Sequence, residues 1–390
     1  MALGVTLVDA MNETPLFDTL ADLVRINSVN PAFAGGKPEA DIVRYVREFF
    51  RQCGLETWEQ EVLPDRPNLI VCLPGHDRSR RLLLEAHVDT VTVQGMTISP
   101  FEPTVAHGRL YGRGACDTKA GLAAMMHAVA FLKRNGITPR CEVWLAAVVD
   151  EESTFLGVNK LCERLEAEAA IVAEPTELRL VIASKGTVRW RIRVLGRSAH
   201  SAKPHLGINA ITHMARLVLA LEDENQRLTQ KTHPLLGPAT LSVGVIRGGV
   251  QINVVPNECA IDLDRRLLPG ESVSEILAAG QQLLASLKER IPGFDAVMEP
   301  PMFTAAPLET PADAAPVRFA RQILDELGLD STPVGVPFCS DASKLAQFGI
   351  PSILFGPGSI DQAHAAVEFV ECAQVVKAFE FYRQFIEHFG

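Results

Sequence analysis

The sequence contains no long apolar segment, no CxxC pair and no run of basic residues. A helix needs about 18 consecutive apolar residues to cross a bilayer, so no membrane span is expected. The eight cysteines are scattered, several of them within apolar stretches, which favours free thiols over a disulfide framework or a thiolate zinc site. Acidic residues outnumber basic ones 47 to 37, giving a net charge of −10, which argues against a nucleic-acid partner.

The N-terminus also lacks the layout of a signal peptide. No positive charge precedes Arg25, and the first apolar run is short and ends at Asp9. Together with the free thiols, this predicts a cytoplasmic protein. The chain has 390 residues, 47% of them apolar and 22% charged, which suits a folded protein of two or three domains.

Short apolar runs alternate with helical patterns in the first half of the chain. Runs of this length, apolar on both faces, are typical of interior strands in a mostly parallel α/β sheet flanked by helices. The runs cover residues 68–75, 81–87, 142–150, 169–175 and, far downstream, 351–359. The position of the last run predicts that the C-terminal segment completes the sheet.

The middle of the chain has a different pattern. In residues 187–196, apolar side chains alternate with three arginines, which indicates a strand with one solvated face. Further helix and strand patterns follow at 207–227, 240–249, 252–267, 272–290 and 294–303. The order βαββαβ predicts a ferredoxin-like α+β insertion over residues 184–302. Residues 1–183 and 303–390 would then form the first domain.

Polar residues follow three of the apolar runs. His87 and Asp89 end one run, the acids at 150–152 end the next, and Glu174 follows a third. Ligands in open α/β sheets bind outside the carboxyl ends of the strands. These side chains are therefore expected to converge on one edge of the sheet.

Asp117 and His364 complete the candidate set. Asp117 precedes a helix, so a role as N-cap is the alternative to a metal ligand, and a loop histidine such as His364 is more often simply exposed. Two histidines and four or five carboxylates, without a thiolate, suit Zn²⁺, Co²⁺ or Mn²⁺, and one shared carboxylate makes a dinuclear site. Two such ions generate hydroxide near neutral pH and polarise a carbonyl, while a further carboxylate serves as base.

The segment GRGACD, residues 112–117, partly matches a dinucleotide-binding fingerprint. Asp117 occupies the third glycine position and no long strand immediately precedes the turn, so the match is weak. A nucleotide-binding α/β protein is kept only as an alternative, which predicts cofactor absorbance or fluorescence in the purified protein.

Eight motifs, in order, resemble a known family. They are LEAHVDTV, GRLYGRGACDTKAGLAAMM, VVDEES, AEPTEL, GRSAHSAKPHLGINAI, INVVP, DLDRRLLPGE and FGPGSIDQAH. From about residue 14 to its end, the chain resembles the metallohydrolases that include acetylornithine deacetylase, succinyl-diaminopimelate desuccinylase, aminoacylase and glutamate carboxypeptidase. The resemblance implies a zinc-peptidase-like catalytic domain with an inserted domain that acts as a lid and as a homodimer interface.

The resemblance also implies which residues hold two divalent metal ions. His87, Asp117 and Glu174 would hold one ion. Asp117 would bridge to a second ion held by Glu152 and His364. Zn²⁺ is the first choice, with Co²⁺ and Mn²⁺ as alternatives.

Further roles are implied around these ligands. Glu151 would be the general base, and the carboxylate of Asp89 would orient the imidazole of His87. The peptide bond after the bridging residue is often cis in this family, so the bond from Asp117 to Thr118 is expected to be cis.

The inserted domain would contribute substrate contacts. His200 resembles the histidine that reaches the active site of the neighbouring subunit and stabilises the oxyanion. Asn253 and Arg266 resemble polar substrate contacts, and Arg266 is preferred over Arg265 because it fits the DxRxxP spacing. Lys185 lies in a stretch that also faces substrate in relatives.

Residues 174 and 367 can be compared with the residues that other family members carry at the same positions. Glu174 is typical of deacylases and carboxypeptidases, where aminopeptidases and dipeptidases usually carry Asp. Val367 stands where many relatives have an acid, and Glu368 follows it, so the resemblance leaves open whether an acid supports the site there.

The predicted function is hydrolysis of the amide bond of an N-acyl amino acid, as in acetylornithine deacetylase, by a metal-bridging water that Glu151 activates. A metallo-dipeptidase or carboxypeptidase with the same site is the first alternative. A catalytically silent binding protein is the second, and the presence of all five ligand candidates and Glu151 speaks against it. The expected partners are a small N-acyl amino acid or dipeptide and a second copy of the chain, with no nucleic acid and no membrane.

Overall fold

A computed structural model describes residues 15–390 of the chain. The N-terminal segment, for which the sequence predicts no signal-peptide layout, lies outside the described residues. Within residues 15–390, no helix combines the length and the apolar character needed to cross a bilayer.

The bounds of the elements are as follows. The helices are α1 Pro15–Arg25, α2 Ala40–Gln52, α3 Lys119–Arg134, α4 Leu156–Cys162, α5 Ala210–Leu228, α6 Val273–Arg290, α7 Ala315–Glu326, α8 Asp341–Gln347 and α9 Cys372–His388, with a 3-10 turn at Pro204–Leu206. The strands are β1 Glu56–Leu63, β2 Arg66–Leu73, β3 Asp77–His87, β4 Thr104–Ala106, β5 Arg109–Tyr111, β6 Cys141–Val148, β7 Ala169–Val172, β8 Val181–Ser184, β9 Gly186–Leu195, β10 Thr232–His233, β11 Gly237–Pro238, β12 Thr240–Gly248, β13 Glu258–Leu267, β14 Asp295–Met298, β15 Phe303–Ala305, β16 Leu308–Glu309, β17 Val334–Val336, β18 Ser352–Leu354 and β19 Phe369–Glu371.

A mixed sheet forms the centre of the first part of the fold. Its strand order runs β1-β2-β6-β3-β7-β18-β8, and the four central strands β6, β3, β7 and β18 are parallel to their neighbours within that group. Strands β7 and β18 are buried throughout, β3 is buried from Leu82 onward, and β6 is mostly buried, as their apolar runs predict. The predicted α/β class and the completion of the sheet by the C-terminal segment are confirmed.

Helix α3 is buried almost all round, and it packs against α9, α1 and the sheet. Small and flexible side chains, chiefly Ala and Met, let neighbouring elements approach it closely. Gly136, with φ of 66°, follows its C-terminus in the left-handed conformation that glycine adopts without strain. This helix carries the loop before it, which contains Asp117, against the sheet.

A second, antiparallel sheet has the order β12-β13-β9-β14. With helices α5 and α6 between the strands in sequence, this is the ferredoxin-like arrangement that the βαββαβ pattern predicts. The strand predicted at 252–267 begins only at Glu258, because Pro256 has no N–H to give to a sheet ladder. The strand predicted at 294–303 is divided into β14 and β15 around two prolines for the same reason.

The contacts divide the chain into two compact units. The first unit comprises the described residues up to Ile182 together with Thr310–Val334 and Ser340–Gly390. The inserted unit comprises Ala183–Glu309 and the short segment Gly335–Cys339.

Candidate active site

The carboxyl ends of three adjacent parallel strands deliver the first candidate residues. His87 is the last residue of β3, residues 150–152 follow β6, and Glu174 follows β7. The order β6-β3-β7 places these ends side by side, since all three strands run in the same direction. Residues far apart in sequence therefore meet at one edge of the sheet.

One cluster of possible metal donors is buried. His87, Asp117 and Glu174 each offer a nitrogen or oxygen atom, and the three atoms lie within 4.8 Å of one another. Nε2 of His87 is 3.0 Å from Oδ1 of Asp117. The three residues are only 2%, 6% and 5% exposed, so a bound ion would be largely shielded from water.

A second cluster shares Asp117 with the first. Asp117, Glu152 and His364 again offer donor atoms within 4.8 Å of one another. Nε2 of His364 lies 3.3 Å from Oδ2 of Asp117 and 3.1 Å from Oε1 of Glu152. Asp117 thus turns one carboxylate oxygen toward each histidine, which is the arrangement that a bridging ligand requires.

Asp117 is not a helix cap. The N-cap of α3 is Thr118, and the hydroxyl of Thr118 donates to the main-chain oxygen of Ala173 at 2.7 Å. The peptide bond between Asp117 and Thr118 is cis, as the resemblance implies. The capping alternative for Asp117 is therefore wrong.

Glu368 supports the loop that carries Asp117. This buried carboxylate accepts hydrogen bonds from the main-chain N–H groups of Cys116, at 2.9 Å, and Asp117, at 3.2 Å. It also pairs with the buried guanidinium of Arg113. Val367, in the position where many relatives have an acid, is 38% exposed. The acid that supports the site is thus the residue after Val367, a role that the sequence left open.

Replacing Glu368 by Ala is expected to lower the free energy of unfolding by about 3 kcal/mol, because the Arg113 charge stays buried without its partner. We also expect kcat to fall about tenfold through displacement of the Asp117 loop. Urea unfolding at pH 7 measures the first effect. The control is Glu371→Ala, whose half-exposed pair with Arg109 is screened by water and should contribute little to stability. Equal losses in both variants would contradict the proposed support.

Asp89 contacts His87 through its main chain, and its carboxylate lies beside the same ring nitrogen. Nδ1 of His87 donates to the main-chain oxygen of Asp89 at 2.9 Å, while the nearest carboxylate oxygen of Asp89 is 3.6 Å away. The carboxylate instead accepts from the main-chain N–H groups of Glu151 and Glu152, both at 3.1 Å. Asp89 therefore fixes the histidine through its main chain and the acidic turn through its side chain. The Nδ1–H bond leaves Nε2 free to act as a ligand.

Burial and charge shift the pKa values of the clustered groups. Burial raises the pKa of Glu151 and Glu174, and the neighbouring acids add to the effect. Hydrogen bonding to Asp117 and Glu152 raises the pKa of His364 to about 10. The clustered carboxylates therefore repel one another when they are ionised, and a bound cation would reduce this repulsion.

The residues fit two divalent cations. Nitrogen and carboxylate oxygen donors without a thiolate are the ligands that Zn²⁺, Co²⁺ and Mn²⁺ accept. The clustered acids, counted with Asp89 and Glu151, outnumber the two histidines, so even two protonated imidazoles would leave an excess of negative charge. Two bound divalent ions would supply the missing positive charge.

Two further buried acids lie near the clusters. The carboxyl groups of Glu85 and Asp341 are buried and lie close enough to interact with each other, and burial raises the pKa of both groups. The sequence analysis missed them. A signal for Glu85 exists, because it lies two residues before His87 on β3 and therefore points to the same face of the sheet.

The remaining predicted residues belong to the inserted unit. His200 is exposed, and its Nδ1 accepts from the N–H of Ala202 at 3.1 Å. Asn253 is exposed, and its main-chain oxygen accepts from the N–H of Ser201 at 3.0 Å.

Lys185 and Arg266 lie close enough to influence each other. Burial lowers the pKa of Lys185, and the charges of Arg266 and Arg265 lower it further. The guanidinium of Arg266 donates from Nε to Asp264 at 2.7 Å, whereas Arg265 is buried and pairs with Glu271. Arg266 is thus the more accessible of the two arginines, and its role as a ligand contact stays a prediction.

Comparison with known proteins agrees with this geometry. The family model described as "Peptidase family M20/M25/M40" matches residues 83–388. The chain belongs to this family.

Curated M20 relatives cover most of the chain. Acetylornithine deacetylase of Myxococcus xanthus is 30% identical over 387 residues, which are 95% of this chain and 96% of the relative. Acetylornithine deacetylase of Yersinia pestis is 32% identical over 320 residues, 79% of each chain. The predicted family resemblance is confirmed, and the chain is an M20 metallohydrolase similar to acetylornithine deacetylases.

Solved M20 structures share the fold. A tripeptidase from Staphylococcus aureus superposes with a TM-score of 0.80 at 23% identity, covering 95% of this chain and 97% of the other. The aminopeptidase PepT from Bacillus cereus gives 0.79 at 24% identity with the same coverage. At these identities the likeness concerns the fold.

Proposed function

We propose that this M20 metallohydrolase hydrolyses the amide bond of N-acyl amino acids. The observation that carries the proposal is the pair of donor clusters that share Asp117, with Glu151 directly before the Glu152 donor. The similarity to acetylornithine deacetylases, at 30% identity over most of the chain, favours a deacylase within the family. Glu174 also favours a deacylase over an aminopeptidase or dipeptidase, because the resemblance gives Glu at this position as typical of deacylases and carboxypeptidases.

Each chain residue at the site has a defined task in this proposal. His87, Asp117 and Glu174 would hold one ion, and Asp117, Glu152 and His364 would hold the other. When bound, the two ions supply Lewis acidity and lower the pKa of a water molecule toward neutrality. Zn²⁺ is the proposed metal, with Co²⁺ and Mn²⁺ as alternatives.

Glu151 transfers the proton. Its carboxylate accepts a proton from the attacking water as the water oxygen bonds to the acyl carbon. It then donates that proton to the amide nitrogen as the carbon–nitrogen bond breaks, which releases a carboxylate and an amine.

The inserted unit is proposed to bind the substrate carboxylate. Lys185 lies near Arg266, whose guanidinium is paired with Asp264, and on exchange of that partner the guanidinium fork would bind a substrate carboxylate with two hydrogen bonds. Asn253 adds a polar contact from the same unit. An N-acyl amino acid carries a carboxylate on its amino-acid part, and this carboxylate would bind to Arg266.

We further propose a homodimer formed through the inserted unit. Strand β12 is an edge strand, and Val245 and Ile246 on it are 37% and 57% exposed. Val250 and Ile252, in the following loop, are 92% and 103% exposed. An apolar edge of this kind is a surface that soluble proteins normally cover, here by the same edge of a second copy. His200 would then stabilise the oxyanion in the partner's site.

Mixing two inactive variants tests the shared site. His200→Ala and Glu151→Ala chains, each inactive alone, are expected to recover partial activity after unfolding and refolding together, because one site per heterodimer has both residues. The activity of the mixture against each parent measures this. The absence of recovery, with dimers confirmed by sedimentation, would argue against His200 acting in the partner's site.

The substrate class is tested with a panel assay. Protein is stripped with a chelator and reconstituted with Zn²⁺, Co²⁺ or Mn²⁺, then assayed with acetyl, succinyl and formyl amino acids and with dipeptides. Faster turnover of acyl amino acids is expected. Preference for dipeptides would favour the alternative, a metallo-dipeptidase or carboxypeptidase, which the family description also accommodates.

Three predictions from the sequence stay predictions. They are a cytoplasmic location, the lack of a nucleic-acid partner, and the domain boundaries at residues 184 and 302. The silent binding protein, as an alternative, is tested by any turnover in the panel.

A further inference from the structure

The acidic turn after β6 has an unusual main chain. Asp150 has φ of 70°, in the left-handed region that residues other than glycine seldom adopt. It is nevertheless only 2% exposed, in a position directly before Glu151 and Glu152. Its main-chain oxygen accepts from the N–H groups of Thr154, at 3.2 Å, and Phe155, at 2.8 Å. Asp150 is therefore a turn residue, and it is not the cap of α4, whose N-cap is Phe155.

The side chain of Asp150 meets a buried arginine. Its Oδ1 accepts from Nη2 of Arg66 at 2.8 Å, and its Oδ2 accepts from the hydroxyl of Thr154. The Arg66 guanidinium also donates to both carboxylate oxygens of Glu39, at 2.6 and 2.7 Å. The side chains of Glu39, Arg66 and Asp150 are 0%, 10% and 3% exposed. The fork geometry of arginine lets one cation hold two buried carboxylates in fixed directions.

Asn30 extends this network toward the site. Its Nδ2 donates to Oδ1 of Asp150 at 3.0 Å and to Oδ2 of Asp89 at 2.8 Å. The carboxylate of Asp89 accepts from the N–H groups of Glu151 and Glu152. The network is thus connected to Glu151 and Glu152 in two ways. Asp150 precedes them in the main chain, and Asp89 accepts hydrogen bonds from their N–H groups.

The position of Glu151 depends on its main chain. Within the part of the chain that the structure describes, no hydrogen bond is made by the Glu151 carboxylate, so the main chain sets where that carboxylate lies. A rotation at Asp150 would move Glu151 and Glu152 together. The hydrogen bonds that Asp150 accepts from Arg66 and Asn30 oppose this rotation.

We propose that Glu39, Arg66, Asn30 and Asp150 form a positioning relay for Glu151 and Glu152. Arg66 is its centre, since it is the cation that joins Glu39 to Asp150. The proposal rests on the proposed function in that Glu151 and Glu152 are taken as base and metal ligand. All four relay residues are buried, and they act on Glu151 and Glu152 through the main chain at Asp150 and the side chain of Asp89.

The test compares Arg66→Ala with Arg80→Ala. Arg80 makes an equally close two-bond pair with Glu168, but this pair is half-exposed and lies on the same unit away from the relay. In Arg66→Ala we expect the affinity for the weaker of two Zn²⁺ ions to fall at least tenfold in a calorimetric titration of the stripped protein. We also expect kcat to fall about tenfold to a hundredfold while KM changes less than about twofold. Arg80→Ala should match the wild type.

Chemical rescue separates positioning from simple loss of stability. Guanidinium ions, at concentrations well below denaturing ones, are expected to restore part of kcat and of the Zn²⁺ affinity in Arg66→Ala, whereas potassium chloride at equal ionic strength should not. Arg66→Lys and Asp150→Asn keep most of the side-chain volume and should also lose Zn²⁺ affinity, so the test does not depend on Arg66→Ala folding. Wild-type Zn²⁺ affinity and kcat in the folded variants would overturn the proposal.

The Zn²⁺ titration needs no substrate, so the relay and the proposed function can fail separately. A wild type that cleaves none of the panel substrates, with weakened Zn²⁺ binding in Arg66→Ala, would count against the function and support the relay. Full wild-type deacylase activity in all relay variants would support the function and overturn the relay.

Discussion

Replacing Glu151 by Gln is expected to lower kcat by about 10²- to 10⁴-fold, the range that a general base contributes. Glutamine has nearly the same shape as glutamate, but its amide cannot accept the proton of the attacking water. The Glu151 carboxylate is in neither donor cluster, so bound metal should stay near the wild-type amount. The measurements are steady-state kinetics and metal content per chain by elemental analysis.

Glu166→Gln is the matched control for this experiment. Glu166 is exposed and lies in the same unit, and its loss should leave kcat unchanged. Retained turnover in Glu151→Gln would remove Glu151 from the role of base. Loss of metal together with activity would instead indicate that Glu151 binds an ion.

Replacing Asp117 by Asn is expected to remove most of the metal and to lower activity by about 10³-fold or more, since the ions contribute several kcal/mol of transition-state stabilisation. Asp117 belongs to both donor clusters, and its two oxygens lie 3.0 and 3.3 Å from the two histidine nitrogens. An uncharged amide can serve neither ion as a shared anionic ligand. Metal content and activity are measured on the same preparation.

Single-cluster variants sharpen this prediction. His87→Ala and His364→Ala each alter one cluster, so each should lose one ion, while Asp117→Asn affects both. Asp325→Asn, at an exposed position, is the control and should keep two ions per chain. If Asp117→Asn retained two ions with wild-type affinity, the bridging role would be wrong.

The comparison of sequence and structure is clearest at the sheet edge. The apolar runs predicted the strands, and the polar residues just after each run predicted which side chains meet, because parallel strands place their carboxyl ends together. The alternation of apolar residues and arginines likewise indicated the ferredoxin-like sheet. Both signals are local, since each follows from a few consecutive residues and one rule of chain geometry.

The sequence contains no comparable signal for the buried contacts that support the site. Arg66 and Glu368 are single charged residues, which in a sequence are usually solvated, and nothing near them in the chain indicates burial. Glu368 meets Arg113 across 255 positions, and Arg66 meets Asp150 across 84. The contact of Asp89 with the main chain of Glu151 and Glu152 was equally absent from the pattern.

The sequence by itself determined the family, the two kinds of sheet and the set of residues that gather at the strand ends, because these depend on periodicity and on motifs in fixed order. Only the tertiary structure decided which acid supports the Asp117 loop, how His87 is oriented and what holds the turn at Asp150. The physical reason is that a buried charge is stable only beside its partner. That partner is chosen by the packing of distant elements and not by neighbouring residues in the chain.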